Sequence, residues 1–443
     1  MGQQSEKQML GPWMTSALVV GNIIGAGIFL LPASLAPFGQ NAIYGWLLTI
    51  AGALSLSWVF AQFASRIDGG PYAYVRATLG ELPAFLVMWS YWISIWTGFP
   101  VLAIAAVSYA SSIVPALGGP TAAPAAAIGA VWLLTIVNMG GARTAGAVQL
   151  VTTVLKILPL IAVAIVAGVL LGKGVEPATP IPAAINGGGI ASAAALAFFS
   201  MLGFEAASLA TAKVRNAARV VPIATLAGTA ISGFVYLIAC MAVIYLIPGD
   251  QLKTSAAPFA DAIVPLLGPT AGMLVAVFAI ISALGCLNGW VLCAGEVPLT
   301  LARDGVFPRW LGVTTGIGTP VRAQVITSLI ATVLIVSNYS RSMAGLFTFM
   351  VLVTTAVALV LYVACAASAL AMVARARIKA PMLVPAAAVG LLFSLWIAWG
   401  VGAEANLWGL GLMATGLPIY AAMRFSSRGS SPAAGPDPAL LQE

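Results

Sequence analysis

Residues 21–29 read Gly21-Asn22-Ile23-Ile24-Gly25-Ala26-Gly27-Ile28-Phe29. Three glycines within seven residues oppose a continuous helix, because glycine gives up the most backbone freedom on ordering. Yet the stretch lies among 58 residues, between Lys7 and Arg66, that carry no charge. A chargeless apolar run of that length holds two membrane crossings of about 20 residues each. A helix broken inside a membrane exposes N–H groups where its second half starts, which suit a carboxylate. The carbonyls where its first half ends suit an ammonium. On its own, Gly25-Ala26-Gly27 also reads as close helix packing through small residues.

A second interruption favours the first reading. Residues 199–205 read Phe199-Ser200-Met201-Leu202-Gly203-Phe204-Glu205 in another apolar run, with Ser200 and Gly203 weakening the helix. Interrupted helices at matching places in two repeats point to a transporter whose site lies at the bilayer midplane. One end that prefers carboxylates and another that prefers ammonium describe an α-amino acid site.

Composition supports a membrane setting. The 443 residues are 61% hydrophobic and 7% charged, against about 25% charged in a soluble protein. Mean hydropathy is +1.04. A soluble enzyme, a disordered chain and a nucleic-acid partner are excluded. Sixty-one further chargeless residues separate Glu81 from Arg143. Continuing along the chain gives twelve spans, at 13–36, 42–64, 83–114, 121–140, 147–171, 189–211, 222–247, 270–302, 322–338, 344–373, 381–401 and 405–423. The expected fold class is an all-α integral membrane protein with twelve transmembrane helices. Runs this long exclude a β-barrel. Residues 1–12 read as a cytoplasmic N-terminus, 13–171 as a first five-helix repeat, 189–373 as a second, 381–423 as two peripheral helices, and 424–443 as a disordered cytoplasmic tail. Span one reads as an anchor and not as a removed signal peptide.

The basic residues orient the chain. With both termini inside, fifteen of the 19 Lys and Arg fall in inside segments. Only Lys173, Lys253 and Arg341 fall outside. That asymmetry places both termini in the cytoplasm. The remaining one, Lys156, lies within span five. An ammonium there needs partners or a neutral form, or must snorkel to an interface. Glu205 is the second deep ionisable group; it can be neutralised by a proton, or can be held by a free N–H or a hydroxyl at the break. The four cysteines all fall in spans and read as small buried hydrophobes. Most tryptophans read as interface or packing residues. With no His in the chain, His-based metal or haem sites are excluded, and no cofactor or metal is implied.

On these residues the sequence resembles the amino acid–polyamine–organocation superfamily, and within it the bacterial arginine/agmatine antiporter group. The pieces are GNIIGAGIFLLPASL at 21–35, IYGWLLTIAGAL at 43–54, GGPYAYVRATLG at 69–80, FFSMLGFEAAS at 198–208, GCLNGW at 285–290 and ARDGVFP at 302–308. The resemblance implies an inverted five-plus-five repeat, the leucine-transporter-like fold, with two peripheral helices. It implies that the N–H groups of Gly25, Ala26 and Gly27 hold the substrate carboxylate. The carbonyls of Ile23, Phe199 and Leu202 would hold the amine. Tyr91, Phe199 and Trp290 would be aromatic gates, with Tyr72 and Tyr362 as further gate members. Thr354 would line the distal pocket, and Glu205 would sense protons.

Departures bear on substrate. Phe99 stands where the group carries a guanidinium-binding amide, Phe199 where it carries Trp, and Ile95 and Ser94 replace the neighbouring pocket wall. Losing an amide costs discrimination for a basic side chain. Lys156 resembles superfamily members in which a span-five Lys takes the place of a sodium ion, and it is a second candidate for proton coupling. The expectation is an inner-membrane secondary amino acid transporter working by alternating access. It would be sodium-independent, proton-coupled or exchanging, and inclined to neutral amino acids. The alternative is arginine/agmatine or other basic amino acid/polyamine antiport. An enzyme would need a nucleophile or carboxylate cluster at one interface, which the short loops do not offer. A nutrient sensor on the same fold would bind ligand without moving it. The expected partners are a small amino acid or amine, protons and the bilayer; homodimers occur in the resembling group.

Overall fold

The computed structural model describes residues 12–25, 27–67, 70–140, 155–205, 214, 216–316, 318–338, 341–375, 380 and 382–427. Its helices are α1 (Pro12–Ile23), α2 (Gly27–Leu35), α3 (Asn41–Ala64), α4 (Gly70–Leu79), α5 (Glu81–Ile113), α6 (Ala122–Met139), α7 (Leu158–Gly172), α8 (Gly187–Met201), α9 (Ala217–Leu246), α10 (Pro258–Arg303), α11 (Val321–Ser337), α12 (Met343–Ala374), α13 (Leu383–Val401), α14 (Ala403–Ala414) and α15 (Gly416–Ser427). Among the described residues no β-strand occurs.

Seven of these helices are long and apolar enough to cross a membrane: α3, α5, α6, α9, α10, α12 and α13. The other five predicted segments differ for local reasons. The first is split at residues 24–26 into α1 and α2, and the sixth stops at Met201. The fifth begins among residues outside the description, leaving α7 as its apolar end. The ninth, α11, has 17 residues. The twelfth is divided at Thr415 into α14 and α15, each of 12 residues. The eighth is longer than predicted, because α10 runs over 46 residues and absorbs the preceding loop through a break at Gly268 (φ 81°). A residue other than glycine would be strained at that φ. A tail boundary at 424 also falls too early, since α15 continues to Ser427. There the Arg424 guanidinium pairs with Glu81 and donates to the Tyr420 hydroxyl. Residues 428–443 lie outside the described residues.

The helix α5 is the axis of the molecule. It packs along both α10 and α12, and every residue from Trp92 to Tyr109 is buried. The perimeter is apolar instead of polar: Ile136, Leu392 and Trp399 are 62%, 67% and 64% exposed. A soluble surface does not show such a band, and a bilayer requires one. The tryptophans divide accordingly. Trp46, Trp89 and Trp92 are buried, whereas Trp310, Trp399 and Trp408 are exposed. Three cysteines are buried as expected, but Cys293 is exposed.

Between the predicted loops, Asn41 joins the two broken segments. Its side-chain amide donates to the Phe38 and Ala184 carbonyls, each at 3.0 Å, and its side-chain oxygen accepts from the Asn186 N–H at 3.0 Å. Asn186 in turn caps α8 by accepting from the Gly189 N–H at 2.8 Å. The start of the second interrupted helix is thereby fixed to the end of the first.

Candidate functional site

The helix α1 ends at Ile23, and α2 restarts at Gly27. The last carbonyls of α1 and the first N–H groups beyond it have lost their helical partners, and side chains meet them. Gly25 N–H donates to the Tyr236 hydroxyl at 2.8 Å. That hydroxyl donates to the Ile23 carbonyl at 2.9 Å. Lys156 Nζ reaches from just before α7 in the fifth segment and donates to the Gly21 carbonyl at 2.6 Å, with the residue 2% exposed. The ammonium therefore does not snorkel. It sits on the carbonyl end of the half-helix, where the dipole favours a cation.

The second break mirrors this. Helical φ/ψ ends at Leu202 (ψ 141°), and Gly203 takes a φ of 110°. The Glu205 carboxylate folds back and accepts from the Gly203 N–H at 3.1 Å and from the Tyr362 hydroxyl at 2.9 Å. Tyr91 lies beside this carboxylate. Three residues named from the sequence thus form one buried cluster. Phe60, Phe198 and Phe204 stack around the Tyr362 ring, with centroids 5.8, 5.3 and 5.0 Å away.

Between the two breaks lies a constricted cavity. Of the predicted residues it is lined by Ile23, Gly25, Gly27, Phe199, Leu202 and Trp290. The Phe199 and Trp290 rings face each other with centroids 6.1 Å apart. Two glycines make room for them. A Cβ on Gly27 would fall 2.5 Å from the Phe199 ring, and one on Gly98 would fall 1.9 Å from the Trp290 ring. The remaining predictions sit elsewhere. Ser94 donates to the Tyr91 carbonyl of its own helix at 2.7 Å, and Thr354 to the Met350 carbonyl at 2.8 Å. Phe99 is fully buried and Ile95 nearly so; none of these four lines the cavity. Tyr72 lies apart, in a surface pocket with Glu81, Tyr420 and Arg424, where burial raises its phenol above the ordinary value. Ala26 lies outside the described residues.

Sequence reasoning misses Ser200, Tyr236, Cys286 and Leu102 as site residues, and these also line the cavity. Ser200 reads from the sequence only as a helix weakener. Its buried hydroxyl has no hydrogen-bond partner among the described residues. Among the described residues no group of three or more His, Cys, Asp or Glu is placed to hold a metal.

A wide vestibule opens on the face that carries residues 118–120 and 253–256. Leu30 and Ile104 line it, while Gly27 and Leu102 on the same two helices line the constricted cavity. At 1.5 Å per residue, the lining residues of the two spaces lie within one helical turn, about 3–5 Å along the helix axes. On the opposite side the Glu205–Tyr91–Tyr362 cluster and its phenylalanines form a deeper closure. Two buried half-helix ends and an aromatic pair enclose this constricted cavity, the candidate small-molecule site of a membrane protein.

The sequence matches the family model described as amino acid permease over residues 10–421. The chain belongs to the amino acid permease family. It is a member of the amino acid–polyamine–organocation superfamily, a multi-pass membrane transport protein and not an enzyme. This permease is 33% identical to the cadaverine/lysine antiporter of Escherichia coli (strain K12) over 347 residues, 77% of each chain. It is 27% identical to the putrescine transporter PotE of the same strain over 424 residues, covering 94% of this chain and 96% of the relative. A putrescine transporter PotE of Haemophilus influenzae (strain ATCC 51907 / DSM 11121 / KW20 / Rd) is 27% identical over 432 residues, 95% and 98% of the two chains.

Proposed function

We propose that this permease exchanges a basic amino acid for a diamine across a bacterial inner membrane. The observation that carries the proposal is Glu205, a carboxylate 3% exposed, at the second break and three residues beyond Leu202, which lines the cavity. A buried carboxylate held by the Tyr362 hydroxyl and the Gly203 N–H is a counter-charge for a substrate ammonium or for a proton. The relatives' names, a cadaverine/lysine antiporter and putrescine transporters, support the same class. They replace the inclination to neutral amino acids, which rested on Phe99, Ile95 and Ser94. None of those residues lines the cavity, so they say little about the ligand.

In this reading the two five-helix sets, 13–171 and 189–373, form an inverted repeat and alternate access around the chamber. Both termini lie in the cytoplasm, and the vestibule faces outward. Lys156 holds the Gly21 carbonyl in place of a sodium ion, which makes exchange sodium-independent. Lys156→Ala removes a charge-assisted hydrogen bond of about 1.5–3 kcal/mol, and exchange is expected to fall at least roughly tenfold. Sodium should restore part of it. Full exchange by the variant in choline buffer would count against the role.

Proteoliposomes test the whole reading. Vesicles loaded with cadaverine, putrescine or agmatine should take up labelled lysine, ornithine or arginine faster than empty vesicles, whether or not sodium is present. Uptake of leucine alone, with no counter-substrate requirement, would reject it.

A further inference from the structure

We propose that Tyr236 is the residue that sets the preference between α-amino acids and amines lacking a carboxylate; the proposal rests on the reading above only for the ligand class. The hydroxyl accepts from Gly25 N–H at 2.8 Å and donates to the Ile23 carbonyl at 2.9 Å. These two groups form the donor–acceptor pair that the first break offers a substrate: the N–H for a carboxylate, the carbonyl for an ammonium. The phenol supplies one acceptor and one donor, so it satisfies both at once. It also faces the ligand, because Tyr236 lines the constricted cavity together with Ile23, Gly25 and Phe199. Its ring is fixed from behind by Trp46, with centroids 6.1 Å apart.

The consequence is asymmetric. An α-amino acid that settles on this break must win both groups from the phenol, one for its carboxylate and one for its ammonium. An amine without a carboxylate gives up only the contact with the carbonyl. It also has another oxygen to turn to, since the Ser200 hydroxyl lines the same cavity without a partner among the described residues. Tyr236 therefore penalises the amino acid by one hydrogen bond more than the amine. Deleting the hydroxyl removes that penalty and leaves a buried N–H that a carboxylate can satisfy.

The test is ligand binding to purified full-length permease in nanodiscs, wild type and Tyr236→Phe, by isothermal titration. The ligands are matched pairs: lysine with cadaverine, and leucine with isoamylamine. In the variant the affinity ratio of amino acid to amine should rise about fivefold or more, the equivalent of one hydrogen bond near 1 kcal/mol. An equal change for both members of a pair, or a ratio that moves toward the amine, overturns the proposal. Should Tyr236→Phe not fold, Tyr236→Met fills the space without a hydroxyl and reads the same ratio. Binding of leucine but not of lysine or cadaverine by the wild type would overturn the functional reading. The leucine–isoamylamine pair would still decide the role of Tyr236.

Discussion

Glu205→Gln is expected to lower exchange of lysine for cadaverine by roughly thirtyfold or more. The amide keeps the size of the carboxylate and an oxygen that can accept from Tyr362 and Gly203, whose bonds now measure 2.9 and 3.1 Å. The break should therefore keep its shape. What is lost is the charge, in a setting where water cannot replace it. A hydrogen bond to a charged group contributes about 1.5–3 kcal/mol, equivalent to roughly 10- to 150-fold in a binding constant. Two measurements check this. Initial uptake into cadaverine-loaded proteoliposomes should fall by that factor. The remaining uptake should no longer respond to an imposed pH gradient if Glu205 is the group that exchanges a proton. Uptake at the wild-type rate, or an unchanged response to pH, would remove Glu205 from the coupling role. Tyr362→Phe should have a smaller effect, since it deletes one neutral donor and leaves the carboxylate.

The second large effect is expected from Gly98→Ala. The change adds one methyl, but its Cβ would lie 1.9 Å from Cζ3 and 2.4 Å from Cε3 of Trp290. The helix α5 cannot retreat, because it is buried against α10 and α12 along this stretch. The indole must move instead, and the space before it is the substrate chamber shared with Phe199. Overpacking of this kind costs about 1–3 kcal/mol. Here the cost falls on the aromatic pair that encloses the ligand, so transport is expected to drop by more than roughly tenfold while the protein remains folded. Melting temperature and uptake measured side by side separate the two effects. Trp290→Phe in the Gly98→Ala background trims the ring that collides and should recover part of the uptake. Failure to recover any would place the defect in α5 and not in the chamber.

Both halves of the chamber are legible in the sequence because glycine and serine inside an apolar run weaken a helix and add little to its burial. The same logic singles out Lys156 and Glu205, since charges are scarce and costly at that depth. Tyr236 leaves no such mark. It sits in the unbroken apolar stretch Phe234-Val235-Tyr236-Leu237-Ile238, and its partner Gly25 is 211 residues away. Only the folded packing of α9 against α1 reveals it. The inclination to neutral amino acids, which the relatives support less well than basic substrates, has a related weakness. Phe99, Ile95 and Ser94 bear on substrate only if they touch the ligand, yet none of them lines the cavity. Helix ends are misjudged where a glycine with positive φ lets a helix resume, as at Gly268, or where an apolar run hides a division, as at Thr415.

The thinness of the wall between vestibule and chamber has an electrical consequence. A water-filled vestibule conducts, so little of the membrane voltage falls across it. With under one turn of α2 and α5 left before the chamber, most of the field concentrates across the opposite closure, around Glu205 and its tyrosines. In the proposed exchange of a singly charged amino acid for a doubly charged diamine, each net charge moved has about 2.3 kcal/mol at stake for every 100 mV. In this conformation that work is done chiefly at the Glu205 closure. The step most sensitive to voltage is therefore the opening of that side, and not the entry of substrate from the vestibule.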